Sequence, residues 1–263
     1  MRMTQAGTAL VTGASGGIGK EIARILAREG FSVVLVARRG QELEKLASEL
    51  REQHGVKAWA VPADLTRREA CDELFAWAGR ESIEVDVLVN NAGFGTNGRF
   101  SDIDLTRELD EIQLNVAAPV HLTKLFLKPM LARNRGRILN VGSTAGFQPG
   151  PFMAVYYSTK AFVNSFTEAL SAELDATSVT ATVLCPGPTK SGFVAAAKME
   201  RVNLFKAPQV ADASSVAEAG VRAMLEGKAM VVPGLMNKAS VQSTRIAPRA
   251  VVRAIVKRLN RQH

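Results

Sequence analysis

The chain has 263 residues, 47% of them hydrophobic and 22% charged, an ordinary globular composition that excludes disorder and collagen-like repeats. At this length a chain buries roughly three quarters of the surface it exposes unfolded, so its core needs neither disulfides nor a structural metal. The net charge is +8, but Lys238, Arg245, Arg249, Arg253, Lys257, Arg258 and Arg261 follow the last acidic residue, Glu226, so the basicity is a C-terminal feature rather than a general nucleic-acid-binding surface.

Short β-branched runs alternate with longer stretches of helical period. Strands are predicted at 8–11, 32–37, 57–61, 86–90, 136–141, 179–184 and 229–232, and helices near 17–29, 41–53, 67–79, 104–132, 155–175 and 213–226. Runs such as Val33-Val34-Leu35-Val36 are apolar on both faces, the pattern of a parallel sheet covered on each side by crossover helices. The expected fold is a single-domain, doubly wound α/β architecture over 1–233. Pro186 and Pro188 end the sixth strand region, and the weakly periodic connection that follows, about 189–210, reads as a substrate lid whose Phe193, Val194, Met199, Leu204 and Phe205 could line an apolar pocket or pack the lid down.

The basic extension, 234–263, contains a helix after Pro248 with Val252, Ile255, Val256 and Leu259 as an apolar stripe. Arg249, Arg253, Lys257 and Arg261 recur on another face. Docking on its own domain or a partner subunit is one reading; peripheral contact with an anionic membrane is the other. Nucleic-acid binding is not expected, because aromatic stacking residues are missing among the cations.

Seven residues before the first strand are too few for a signal peptide's apolar stretch, and no run of about 18 apolar residues occurs, so a soluble, cytoplasmic protein is expected. Cys71 and Cys185 read as small buried hydrophobes in a reducing compartment, with a disulfide as the alternative. His54, His121 and His263 are scattered, which predicts no metal site.

Two constellations carry chemistry. Between the first strand and first helix lies Thr12-Gly13-Ala14-Ser15-Gly16-Gly17-Ile18-Gly19, where glycines let the backbone approach a pyrophosphate and the helix N-terminus meets its charge; a glycine-rich turn without a ligand is the alternative. At the end of the second strand, where a carboxylate would bind the ribose of NAD, stand Arg38 and Arg39. A guanidinium there suits the 2′-phosphate of NADP, Arg38 first and Arg39 stacking or assisting, although both could be solvated charges opening a helix. Tyr156 and Lys160 lie one helical turn apart, so the ammonium can favour the phenolate, while Tyr157 lacks that spacing and reads as a packing residue.

Taken with Asn90-Asn91-Ala92-Gly93, Asn115, Ser143 and Pro186-Gly187, these motifs occur in the order and approximate spacing of the short-chain dehydrogenase/reductase family, which the chain resembles over about 8–232. The resemblance implies a seven-stranded Rossmann-like sheet in the order 3-2-1-4-5-6-7 and NADP(H)-dependent interconversion of a carbonyl and an alcohol. It implies that Tyr156 exchanges the proton, Ser143 holds the reacting oxygen, Lys160 binds the nicotinamide ribose and keeps Tyr156 acidic, and Asn115 holds a water leading from Lys160 to solvent. It places Gly13, Ser15, Gly17, Ile18 and Gly19 at the pyrophosphate, Asp64 and Leu65 at the adenine, Asn91 and Gly93 beside the ribose and nicotinamide, and Pro186, Gly187 and Thr189 against the nicotinamide. The tail and Val36-Ala37-Arg38-Arg39 resemble bacterial reductases related to 17β-hydroxysteroid dehydrogenases and 3-ketoacyl reductases, implying a hydrophobic ketone or acyl substrate. A homodimer or homotetramer is also implied, with Ala161, Phe162, Ser165 and Phe166 able to pack it. The alternative function is a nicotinamide-binding sensor or scaffold with little catalysis.

Overall fold

The computed structural model describes residues 6–190 and 210–261. Seven parallel strands form the main sheet: β1 (Thr8–Thr12), β2 (Ser32–Ala37), β3 (Ala58–Pro62), β4 (Val85–Asn90), β5 (Gly136–Val141), β6 (Val179–Leu184) and, at one edge, Met230–Val231. In space they run β3-β2-β1-β4-β5-β6 and then Met230–Val231. The chain order reverses between β1 and β4, and the crevice that opens at such a point in a parallel sheet is the natural place for a ligand.

Strand periodicity explains the two layers. Ala9, Val11, Val33 and Leu35 project to one side, into a core shared with α1 (Gly17–Arg28), α2 (Gly40–His54) and Ala213–Leu225. Leu10, Val34, Val36 and Leu88 project to the other, against α3 (Ala70–Arg80), α5 (Ala118–Ala132) and α6 (Ala154–Glu173). Cys71 and Cys185 are free and buried, their thiols pushed up by burial to about 11 and about 12.

The helix expected over 104–132 is divided. α4 (Leu105–Ile112) gives way to a π turn, Gln113–Ala117, before α5 begins. Pro119 supplies the reason: it has no N–H to give the carbonyl of Asn115, its partner in a regular helix, and its ring crowds that carbonyl. The N–H of Ala118 reaches back to Gln113 instead.

Thr189–Lys190 (β7) and Ala211–Asp212 (β8) pair in parallel, so the chain enters and leaves the expected lid at one place. The lid residues 191–209, including the five apolar ones named above, lie outside the described residues. Helix Ala213–Leu225 is α7; Met230–Val231 is β9.

The C-terminal extension forms two helices, α8 (Leu235–Ile246) and α9 (Arg249–Asn260). The sequence reading anticipates α9 but not α8, whose polar run Asn237 to Thr244 hides its period; only Val241 is deeply buried. On α9, Val252 and Val256 pack against Ala145, Met153 and Tyr157, whereas Ile255 and Leu259 of the expected stripe remain exposed. Asn260 anchors its end: its amide donates to Pro151 O at 3.1 Å, its Oδ1 accepts from Tyr157 at 3.2 Å, and its carbonyl accepts from Asn97 at 3.0 Å. Among the described residues no helix is long and apolar enough to cross a membrane.

Val256→Asp places a carboxylate in this apolar contact and should detach α9 while leaving the sheet intact. The expected outcome is trypsin cleavage after Arg253, Lys257 and Arg258 faster by about tenfold or more, read by mass spectrometry of timed digests. Unchanged cleavage rates would mean that Val252 and Asn260 hold the helix without it.

Candidate active site

The cavity at the carboxyl edge of the sheet has a volume of about 900 Å³ and runs from the loop after β1 to the loops after β5 and β6. At one end, Gly13 adopts a left-handed backbone (φ 67°), and a Cβ there would lie 2.6 Å from the Asn91 amide nitrogen. The turn therefore requires glycine, and it carries the backbone of Gly13, Ser15, Gly16, Gly17 and Ile18 along the cavity wall at the N-terminus of α1. Gly19 is buried beneath the turn against Asn91 and Gly13 rather than on the wall.

Arg38 and Arg39 stand on the same wall, exposed, and no carboxylate among the described residues pairs with either. Arg39 reaches over the glycine turn to Ser15, its Nη2 donating to Ser15 O and Oγ at 3.1 Å each. Asp64 and Leu65 follow β3 at the same end; Asp64 Oδ1 accepts from Thr66 N–H at 3.1 Å and Thr66 Oγ1 at 2.8 Å, which fixes the loop. Two cations that pair with no carboxylate, beside a glycine-built turn at a helix N-terminus, fit the phosphates of a nicotinamide dinucleotide.

Thr12 and Asn91 join the loops after β1 and β4. Thr12 Oγ1 donates to Val89 O and accepts from the N–H groups of Asn91 and Ala92, at 3.0–3.1 Å; the Asn91 amide donates to Thr12 O at 2.8 Å. Gly93 comes next, and a Cβ on it would meet Asn115 Oδ1 at 2.8 Å and Lys160 Nζ at 3.8 Å, so it leaves room where those side chains converge.

α6 carries Tyr156, Lys160, Asn164 and Thr167 along one face. Thr167 accepts from Asn140 at 2.9 Å, and Asn140 accepts from Asn90 at 2.8 Å across adjacent strands, so a buried polar ladder ties the helix to β4 and β5. Asn164 holds Ser143 by its backbone, accepting from its N–H at 3.4 Å and donating to its carbonyl at 3.0 Å. The Ser143 hydroxyl accepts from Ala145 N–H at 3.0 Å and hydrogen-bonds with Tyr156. Lys160 Nζ donates to Val141 O, the last residue of β5, at 2.8 Å, and lies 5.9 Å from the centre of the Tyr156 ring.

Burial sets the electrostatics. It pushes the Tyr156 hydroxyl well above the ordinary phenol value, opposed by the hydrogen bond with Ser143, while Tyr157 and Glu111 add to the rise. It pulls Lys160 down to about 8, opposed by the negative charge of Glu111. The spacing argument has Lys160 lowering the tyrosine; in the folded chain desolvation is the larger influence on both groups.

Asn115 lies in the π turn. Its amide donates to Phe94 O at 2.8 Å and Thr159 Oγ1 at 3.1 Å, and its Oδ1 accepts from Phe94 N–H at 3.2 Å. The side chain is thus occupied in holding the loop after Gly93. Pro186 O accepts from Thr144 N–H at 2.9 Å, uniting the loops after β5 and β6; Asn237 of α8 packs onto Gly187, and Thr189 Oγ1 donates to Gly187 O at 2.9 Å. Tyr157 turns its hydroxyl to Asn260, in keeping with a packing role.

The structure adds residues that the sequence reading does not single out. Asn164 could have been found from its eight-residue offset to Tyr156 on one helical face, but Met236, Asn237, Ser240 and Leu259 reach the cavity through tertiary packing alone. Apolar Leu114, Met153, Val210, Met236 and Leu259 are among the residues that line the cavity.

A family model described as short chain dehydrogenase matches residues 7–202. The very-long-chain 3-oxoacyl-CoA reductase of Anas platyrhynchos is 36% identical over 199 residues, 74% of this chain and 62% of that protein, so the match spans less than two thirds of that relative. The ketoacyl reductase HetN of Nostoc sp. is 36% identical over 220 residues, 82% of this chain and 75% of its own. Among solved structures, a short-chain dehydrogenase from Sphingobium yanoikuyae in complex with NADPH superposes with a TM-score of 0.83 at 30% identity, covering 94% of this chain and 95% of that one. With the strand order, the glycine turn and the face of α6 in place, the chain belongs to the short-chain dehydrogenase family.

Proposed function

We propose that the protein is an NADPH-dependent reductase that converts the carbonyl of a hydrophobic ketone or 3-oxoacyl substrate into an alcohol. The observation that carries this reading is the cavity itself: Arg38 and Arg39 lie at one end and Tyr156, Ser143 and Lys160 at the other, and apolar residues are among those that line it. Gly13, Ser15, Gly17 and Ile18 would hold the pyrophosphate, Arg38 the 2′-phosphate with Arg39 beside it, Asp64 and Leu65 the adenine, and Asn91, Gly93, Pro186, Gly187 and Thr189 the nicotinamide half. When bound there, the nicotinamide would supply the hydride that the carbonyl carbon takes up.

The chain's own residues then manage the oxygen. Ser143 donates a hydrogen bond to it, and Tyr156 gives up its proton as negative charge develops there, which completes the hydroxyl. A phenol held above its ordinary value keeps that proton until the oxygen becomes basic, and the Lys160 ammonium stabilises the phenolate left behind. The side chain of Asn115 being occupied, the backbone carbonyl that Pro119 cannot satisfy is the acceptor for a water leading from Lys160 outward.

Exposed Leu105, Leu109 and Ile112 on α4 and Phe162 on α6 form an apolar face suited to a second copy of the chain. Sedimentation at micromolar concentration is expected to give a dimer or tetramer; a monomer would remove this assignment.

The reductase reading is tested by NADPH oxidation across aldehydes, bulky ketones, steroids and 3-oxoacyl thioesters of increasing length. Turnover is expected to rise with apolar size, and Tyr156→Phe should lower it by about a hundredfold or more while leaving NADPH binding intact. Full activity in that variant would overturn the role of Tyr156, and NADPH binding without turnover on any carbonyl would point to a sensor. Arg38→Asp should shift the ratio of kcat/KM for NADPH over NADH toward NADH by at least about tenfold, since one charge-assisted phosphate contact is worth about 1.5–3 kcal/mol. An unchanged ratio would move the phosphate contact to another residue.

A further inference from the structure

The α4 helix turns a carboxylate inward. Glu111 is completely buried where α4 packs against α6, and its carboxylate faces the buried hydroxyl and the backbone N–H of Thr96 rather than any cation within ion-pair distance among the described residues. Such a side chain is disfavoured in an apolar interior unless a charge answers it. It stands one turn before Asn115, the residue that converges with Lys160 on Gly93. No acid lies within ion-pair distance of Lys160 among the described residues, and the direct hydrogen-bond partner of its ammonium is the neutral carbonyl of Val141.

We propose that Glu111 is a positioning residue for this site: its enclosed carboxylate is the counter-charge that keeps the Lys160 ammonium protonated behind Tyr156. The inference rests on the reading of Lys160 as the partner of Tyr156.

The groups facing Lys160 leave few alternatives. From the end of β6 comes Cys185, whose thiol is pushed up by burial to about 12 and is neutral at working pH. From its own helix comes Tyr156, also neutral in the resting site. From α4 comes Glu111, the largest influence opposing the desolvation that pulls Lys160 down to about 8. Glu111 is itself raised by burial to about 7; Thr96 and Lys160 favour its charged form and the neighbouring Glu108 disfavours it. Each charge therefore favours the other against the cost of burial, and both titrate near the pH at which the enzyme would work. Above about pH 7 the carboxylate is formed and supports the ammonium; replaced by an amide, that support is missing and the lysine loses its proton at lower pH.

The test is a lysine 13Cε NMR titration of the full chain without cofactor, with the Lys160 signal assigned by Lys160→Arg. The native midpoint is expected near 8, and Glu111→Gln, which keeps shape and removes charge, should lower it by about one unit or more. Glu111→Asp, which keeps the charge, should restore most of the shift and also serves if the amide variant does not fold. A midpoint that is the same in the native chain and in the variants would overturn the proposal. Because this readout needs no turnover, it separates the coupling from the reductase reading. In the NADPH assay, the alkaline limb of kcat should move down with the midpoint in Glu111→Gln, and a limb that stays in place while the midpoint moves would overturn the link to the reaction.

Discussion

A parallel strand that leaves its sheet abandons the hydrogen-bond ladder, and its last N–H and C=O groups need new partners. Here asparagine and threonine side chains supply them. Thr12 and Asn91 bridge the ends of β1 and β4, Asn164 takes both backbone groups of Ser143, and Asn115 takes both backbone groups of Phe94. An amide offers a donor and an acceptor together, so one side chain can hold one peptide at both ends. The cavity walls are these clamped loops, and their rigidity comes from the sheet beneath them.

The clamp on Ser143 comes from the helix that carries Tyr156 and Lys160, so hydroxyl, phenol and ammonium share one support. That matters because their chemistry depends on tenths of an ångström and on a constant dielectric. Burial alone would push the tyrosine and the lysine toward their neutral forms. Neutral partners suit the resting site, since the phenol must still hold its proton when substrate arrives, but charge must be recoverable in the transition state. A remote carboxylate on α4 provides that without competing for the hydrogen bond Lys160 makes to Val141, which fixes where the ammonium sits.

The legible parts of the molecule are those fixed by local rules. The strands 32–37, 136–141 and 179–184 stand where their apolar runs place them, and the seven-stranded order agrees with the resemblance. Tyr156 and Lys160 share a face because helical spacing dictates it. The helix over 104–132 was legible as helix but not as two, although Pro119 marks the interruption; periodicity averages across a one-turn defect that a single missing N–H creates. Helix α8 is not legible, because it buries little of itself and its largely polar run shows no apolar period. Glu111 was hidden for the opposite reason: an acid on an amphipathic helix reads as solvent-facing until packing turns it inward.

The C-terminal helices show where such a fold can change without disturbing its chemistry. α9 is tied to the core through Val252, Val256 and Asn260, and Asn260 meets Tyr157, the residue next to Tyr156. Leu259 and Met236 nevertheless reach the cavity, while the clamps on Ser143, Phe94 and Asn91 draw nothing from either helix. Substitutions on the cavity-facing side of α8 and α9 can therefore reshape the pocket at little cost to the proton-handling groups. Their remaining surface, with exposed Ile246, Val251 and Ile255 among Arg245, Arg249, Arg253 and Lys257, is free of that constraint. The extension is thus divided by residue: Val252, Val256 and Asn260 anchor it, Met236, Asn237, Ser240 and Leu259 reach the pocket, and the basic positions face outward.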